Sequence, residues 1–189
     1  MKPHRIFIAI NLPEDVKKQL LEYKNKWPEL PARWVSKDNL HLTLAFLGNT
    51  SNQELAEVCK LIQIVGGRHQ PFSLEFTKIV YGPDQRRPSM IWATGEKSSE
   101  LTVLQKGVET ALAESSEIHY RSEKRPYTSH LTLARLKTFE LQRMETEELP
   151  NVNEEISLSF KVTSIEVMES TLRRSGAQYT ILQSFMLKQ

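Results

Sequence analysis

Seven residues occur twice in this chain. His41-Leu42-Thr43-Leu44-Ala45-Phe46-Leu47 returns as His130-Leu131-Thr132-Leu133-Ala134-Arg135-Leu136, identical at six of seven positions after an offset of 89 residues. Polar and apolar residues alternate in both copies, the pattern of a half-buried strand. On a strand, residues i and i+2 share one face while i+1 and i+3 take the other. His41 and Thr43 therefore look one way and Leu42 and Leu44 the other; His130 and Thr132 stand in the same relation to Leu131 and Leu133. The chain must build two like strands, each offering an imidazole and a hydroxyl on one side and leucines to a core on the other.

The duplication extends into the flanks. Arg5-Ile6-Phe7-Ile8-Ala9-Ile10 reads as an opening strand. A helix follows from Pro13-Glu14-Asp15, where proline and acids suit a first turn. After His41 and Gly48, Ser51-Asn52-Gln53-Glu54 is a capping start for a helix carrying Leu55, Val58, Leu61, Ile62 and Val65, stopped at Gly66-Gly67. Phe72 to Val80 then alternates as a strand. The second half opens on Met90-Ile91-Trp92-Ala93-Thr94 and continues with a helix from Ser98-Ser99-Glu100 through Leu101, Leu104, Val108 and Leu112. A basic loop leads to His130, and a short acidic helical stretch is expected from about Phe139 to Glu148. Ile156–Phe160 and Ser164–Met168 are strands, as is Tyr179–Leu187. The expected organisation is α+β: one domain over 1–189, with an internal repeat of roughly 5–80 and 89–168 and a final strand over 178–188. With no Ser/Gly-rich linker between the halves, a shared sheet system with intertwined lobes is expected.

Other classes are disfavoured. The longest apolar run falls far short of the roughly 20 residues that span a bilayer, and the start is too short in apolar residues for a secretory signal. The single cysteine, Cys59, excludes an internal disulfide and a thiolate metal cluster. A cytoplasmic protein without membrane attachment is the economical reading. Net charge is only +2, so no global field demands nucleic acid. Locally, Arg121, Lys124, Arg125 and Arg135 stand against one acid, Glu123. That suits an anionic substrate near the second motif, although an ordinary charged loop has the same composition.

Two imidazoles in equivalent settings match the needs of displacement at phosphorus. One group must remove a proton from the attacking oxygen and another must deliver one to the leaving oxygen. Histidine, with an ordinary pKa of about 6.5, serves both roles. Threonine hydroxyls two residues on can donate to phosphoryl oxygens, and a cation such as Arg135 adds charge stabilisation. Zinc is the competing reading, but no His-x-His, His-x-x-x-His or thiolate pair supplies further ligands. His4, His69 and His119 read as surface residues, and Cys59 as an inert helix thiol. No phosphate-cradling Gly-rich motif or Ser nucleophile elbow is present.

The doubled His-x-Thr in these surroundings resembles the 2H phosphoesterase superfamily. Within it, the chain is most similar to the RNA 2′,3′-cyclic phosphodiesterases long labelled 2′-5′ RNA ligases. The resemblance runs through Ile6-Phe7-Ile8-Ala9-Ile10, then from Arg33-Trp34-Val35 through Asn39-Leu40-His41-Leu42-Thr43-Leu44 to Phe46-Leu47-Gly48. It continues in Ile91-Trp92-Ala93, in His130-Leu131-Thr132-Leu133-Ala134-Arg135, and from Ser170-Thr171-Leu172 to Gly176-Ala177-Gln178-Tyr179. It implies a bilobal, pseudo-twofold fold with two antiparallel sheets lining a central cleft and helices outside. It also implies opening of a 2′,3′-cyclic phosphate at an RNA end to a 2′-phosphate with no metal or other cofactor. His41 would be the general acid and His130 the general base, with Thr43, Thr132 and Arg135 on phosphate oxygens. Reversible 2′-5′ ligation would be the same chemistry with an RNA 5′-hydroxyl in place of water. A monomer acting on RNA ends or on nucleotides bearing a cyclic phosphate is expected. Trp34 and Tyr127 lie near the motifs and are candidates to stack on a base. One departure is Ser129, where family members often have proline before the second histidine. Two other readings remain: a non-catalytic module binding RNA or nucleotide phosphates, and the same chemistry on small cyclic nucleotides.

Overall fold

A computed structural model describes residues 3–123, 125–144, 148–174 and 176–188. Strand β1 (His4–Asn11) carries five consecutive buried residues, the mark of a strand covered on both faces. Its alternation sorts them. Ile6, Ile8 and Ile10 enter the main core, whereas Phe7 and Ala9 join Met168 and Tyr179 in a small cluster on the opposite face. Helix α1 (Glu14–Glu22) follows with Glu14 and Asp15 in its first turn. A short strand, β2 (Ala32–Trp34), precedes the first motif strand, β3 (His41–Thr50). Helix α2 (Asn52–Gly66) starts on the capping box read from the sequence: the Ser51 hydroxyl accepts the Glu54 N–H, and the Glu54 carboxylate accepts the Ser51 N–H. Strand β4 (Phe72–Gly82) ends this half.

The second half repeats the order with β5 (Met90–Thr94), α3 (Ser99–Glu114) capped by the Ser98 hydroxyl, and β6 (Leu131–Leu136). Helix α4 (Thr138–Leu141) is a single turn, shorter than the acidic stretch suggested. Leu141 is its one buried side chain, so there is no apolar stripe to carry a longer helix. Residues 145–147 of that stretch lie outside the described residues. Strands β7 (Asn153–Val162), β8 (Ser164–Arg173) and β9 (Gly176–Met186) complete the chain.

The strands run β7-β4-β5-β6-β3-β1-β8-β9, all neighbours antiparallel. The order is symmetric about its centre. Motif strands β6 and β3 are innermost, opening strands β5 and β1 flank them, and each half closes on a strand from the other: β4 beside β5, β8 beside β1. The two expected sheets are thus two arms of one path. They meet at a single register pair, Leu42 opposite Leu131, both fully buried. The pairing between the motif strands is confined to that one register pair. β2 crosses from the first half to pair with β6, a strand too short to read from periodicity. No helix among the described residues is long and apolar enough to cross a membrane.

Candidate active site

The two imidazoles are held in the same way. Nδ1 of His41 lies 2.8 Å from the carbonyl oxygen of Asn39, and Nδ1 of His130 lies 2.8 Å from that of Thr128. A carbonyl only accepts, so Nδ1 carries the proton in each neutral ring and Nε2 is left as a bare acceptor. The duplication therefore reaches down to the tautomer. His130 sits one residue ahead of β6, at the end of the loop, and Ser129 does not disturb its bond to Thr128.

Around this symmetric pair the surroundings diverge. The strand registers make Ala9 the counterpart of Trp92, each opposite the motif threonine, and Phe7 the counterpart of Met90. Trp92 stacks on His130 with ring centroids 3.9 Å apart. At the equivalent place beneath His41 the small Ala9 leaves room for Tyr179 of β9, whose ring meets the imidazole edge-on at 5.0 Å. Phe7 packs against His41 at 4.9 Å. Thr43 Oγ1 is 3.1 Å from Nε2 of His41, whereas the Thr132 hydroxyl donates to the Met90 sulfur at 3.9 Å. At the motif's one mismatch, Phe46 faces Phe7 and Arg135 faces Met90.

A cavity of about 450 Å³ gathers His41, Thr43, His130, Thr132 and Arg135, with Arg5 and Phe46 also on its wall. Its electrostatics follow from burial and cations. Burial pushes His41 down to about 4, and the charge of Lys17, with that of His130 when protonated, pushes the same way against the Asn39 carbonyl. Burial also lowers His130, with the Thr128 carbonyl opposing. At neutral pH both rings are therefore neutral in the free protein. Among the described residues no carboxylate forms an ion pair with Arg135 or Arg5, so the cavity is set for an anion.

The remaining expected residues fall elsewhere. Tyr127 is no stacking platform on this cavity. Its ring packs against the core and its hydroxyl donates to the Thr43 carbonyl at 3.1 Å, strapping the loop before His130 onto β3. Trp34 lies parallel to Trp27 at 6.5 Å and lines a neighbouring cavity instead. Arg121 and Arg125 are exposed and line neither cavity; Lys124 lies outside the described residues. Arg5, at the start of β1, is a further cation on this wall beside Arg135, from a segment the charge pattern did not single out. Sequence reasoning also missed Trp92 and Tyr179 as the imidazoles' neighbours, because neither spacing nor composition links them to the histidines. His4 and His119 are engaged on the surface with Glu169 and Glu54. Among the described residues no three His, Cys, Asp or Glu side chains cluster as metal ligands.

Known proteins are similar to this chain in sequence and fold. The family described as LigT like Phosphoesterase matches residues 10–92 and 94–179, one His-x-Thr falling in each stretch. An RNA 2′,3′-cyclic phosphodiesterase of Methanocaldococcus jannaschii is 25% identical over 181 residues, covering 96% of this chain and 99% of that protein. A Thermus thermophilus crystal structure, TT0787, superposes with a TM-score of 0.82 at 28% identity, covering 97% of this chain and 98% of that one. Escherichia coli LigT complexed with phosphate gives 0.76 at 26% identity, with both chains fully covered. With the family matched across both halves of the sheet that frames the cleft, this chain belongs to the LigT-like phosphoesterases.

Proposed function

We propose that this chain hydrolyses 2′,3′-cyclic phosphate ends of RNA to 2′-phosphates, without a metal, using His130 as general base and His41 as general acid. The observation that carries the reading is the pair of Nδ1-locked imidazoles sharing one cationic cavity. The name of the Methanocaldococcus jannaschii relative supplies the substrate class. His130 takes a proton from water through Nε2, the water oxygen bonds to phosphorus, and the P–O3′ bond breaks as His41 delivers a proton to O3′. Thr43, Thr132 and Arg135 hold the non-bridging oxygens.

His41 is neutral at neutral pH before substrate binds, so the acid is made on binding. The phosphodiester anion placed against Nε2 favours the imidazolium, offsetting the burial that disfavours it. A donor that is a strong acid by environment, charged only when its substrate is present, suits delivery to a poor leaving oxygen. Ligation is the same chemistry with an RNA 5′-hydroxyl in place of water.

The test is product analysis with an oligonucleotide carrying a 2′,3′-cyclic phosphate. A 2′-phosphate end formed equally well in EDTA supports the reading. A 3′-phosphate product, loss of activity in EDTA, or full activity in the double variant His41→Ala, His130→Ala overturns it. Tight binding with no product would point to a binding module. Nuclease-resistant linkages formed from half-molecule RNAs would show the ligation direction.

A further inference from the structure

Met90 opens β5 on the wall of the catalytic cavity, opposite Arg135 in the β5–β6 register. Its sulfur takes two donors. The Trp92 indole N–H donates to it at 3.4 Å, and the Thr132 hydroxyl does so at 3.9 Å. These donors belong to the neighbours of His130. Trp92 stacks on the imidazole with ring centroids 3.9 Å apart, and Thr132, two residues on, lines the cavity with it. Gly82, the partner of Met90 in the β4–β5 register, leaves bare backbone against the same indole. A stacked ring can still turn within its own plane, and the N–H bond to sulfur fixes that angle. In the first half the equivalent position holds Phe7, which meets His41 through its ring and has no acceptor to offer.

We propose that Met90 is the positioning residue of the base half: its sulfur sets the angle of the Trp92 indole over His130 and holds the Thr132 hydroxyl until a phosphoryl oxygen takes it over. The proposal rests on the cyclic phosphodiesterase reading and deepens it, giving a residue that touches no reacting atom a part in orienting the base. A thioether is a weak acceptor, which suits the second task. The hydroxyl leaves it readily for a charged oxygen, a much stronger acceptor.

The experiment compares Met90→Leu, which keeps the bulk and removes the acceptor, with Met90→Gln, whose amide oxygen supplies one. On an oligonucleotide with a 2′,3′-cyclic phosphate end, Met90→Leu is expected to lower kcat about fivefold to tenfold, with KM changed less. It also moves the acid limb of kcat/KM to higher pH, because an indole that turns away leaves His130 less buried. The other titratable or charged groups on this wall, His41, Arg5, Arg135 and Tyr179, are the same in both variants. Met90→Gln recovers most of the lost kcat and returns the acid limb. A side chain that served packing alone would give the opposite order, since leucine is the closer apolar replacement for methionine. Activity in Met90→Leu equal to or above that in Met90→Gln, or an acid limb that does not move in Met90→Leu, overturns the proposal. The Trp92 indole proton, read by NMR, needs no turnover. It is expected upfield of wild type in Met90→Leu and downfield of wild type in Met90→Gln, with Trp27 and Trp34 unmoved; a Trp92 proton unmoved by Met90→Gln overturns the proposal even if the leucine variant does not fold. Absence of turnover in the wild-type chain overturns the phosphodiesterase reading instead. The indole proton and the NMR titration of His130, moved upward in Met90→Leu if the sulfur orients the stack and unmoved if it does not, then decide the role of Met90.

Discussion

The side-chain oxygen of Asn39 accepts the backbone N–H of Tyr179 at 3.0 Å, across 140 residues of sequence. The same side chain donates to the Ala177 carbonyl at 2.7 Å, and its backbone carbonyl takes the Nδ1 proton of His41. One residue thus fixes the tautomer of His41 and seats the strand whose tyrosine covers that ring. Asn39→Ala keeps the backbone contact to His41 and removes the two side-chain bonds. It is expected to cost about 1–3 kcal/mol of stability and to lower kcat/KM by about tenfold. Urea unfolding and steady-state kinetics on a cyclic-phosphate end check both; unchanged kinetics would show that β9 needs no such anchor.

In the proposed mechanism the two histidines carry separate proton transfers, and each transfer is typically worth about 10²–10⁴-fold. His41→Ala and His130→Ala are each expected to lose that much kcat. The double variant should lose much less than the product of the two, since groups acting as a unit are not additive. Single-turnover rates measure this, and fully multiplicative losses would contradict a concerted pair.

The pH dependence of kcat/KM reports the free enzyme. The proposed mechanism needs His130 neutral and His41 protonated, so activity is expected to rise with pH through one group and fall through the other. Burial holds both below the ordinary imidazole value, which places the kcat/KM maximum below about pH 6.5. For kcat the alkaline limb should move upward, because the bound anion holds the His41 proton. Coincident kcat and kcat/KM profiles would count against protonation by the substrate.

The same burial shapes stability. His41 titrates at about 4 in the folded chain and near 6.5 when unfolded. Between those values the unfolded chain binds the proton and the folded chain does not. Stability from this group is therefore intact above about pH 6.5 and is lost as pH falls toward 4, on the order of 3 kcal/mol in all. Denaturant unfolding at about pH 7 and pH 4.5 should show the loss, and His41→Asn should flatten it.

Gly82 gives a route to His130 from a distance. A Cβ at that position would overlap the Trp92 indole, the ring stacked on His130. Gly82→Ala is expected to shift the indole and reduce kcat by about tenfold or more. Gly67→Ala, whose new Cβ would meet only ordinary contacts, is the matched control. Equal activity in the two variants would mean that the stack does not position His130.

Much of this molecule is written locally. A strand's two-residue period placed His41 and Thr43 opposite Leu42 and Leu44, and the caps at Ser51 and Ser98 are short-range chemistry that sequence alone displays. The acidic stretch misled because charge and propensity suggest a helix while only packing decides its length, and Leu141 is the one buried anchor among its described residues. Tyr127 misled because proximity in sequence to His130 does not say which way a ring points.

The doubled His-Leu-Thr-Leu by itself determined that two like strands would each present an imidazole and a hydroxyl, since alternation along a strand is a property of the backbone. Only the tertiary structure decided what those groups meet. Burial at the Leu42–Leu131 seam sets β3 beside β6, Ala9 admits Tyr179 where Trp92 fills the other copy, and β2 brings Arg33 opposite Arg135 in the β6 register. Those neighbours come from segments far apart in the chain, so their pairing is fixed by packing in three dimensions, which no local pattern encodes.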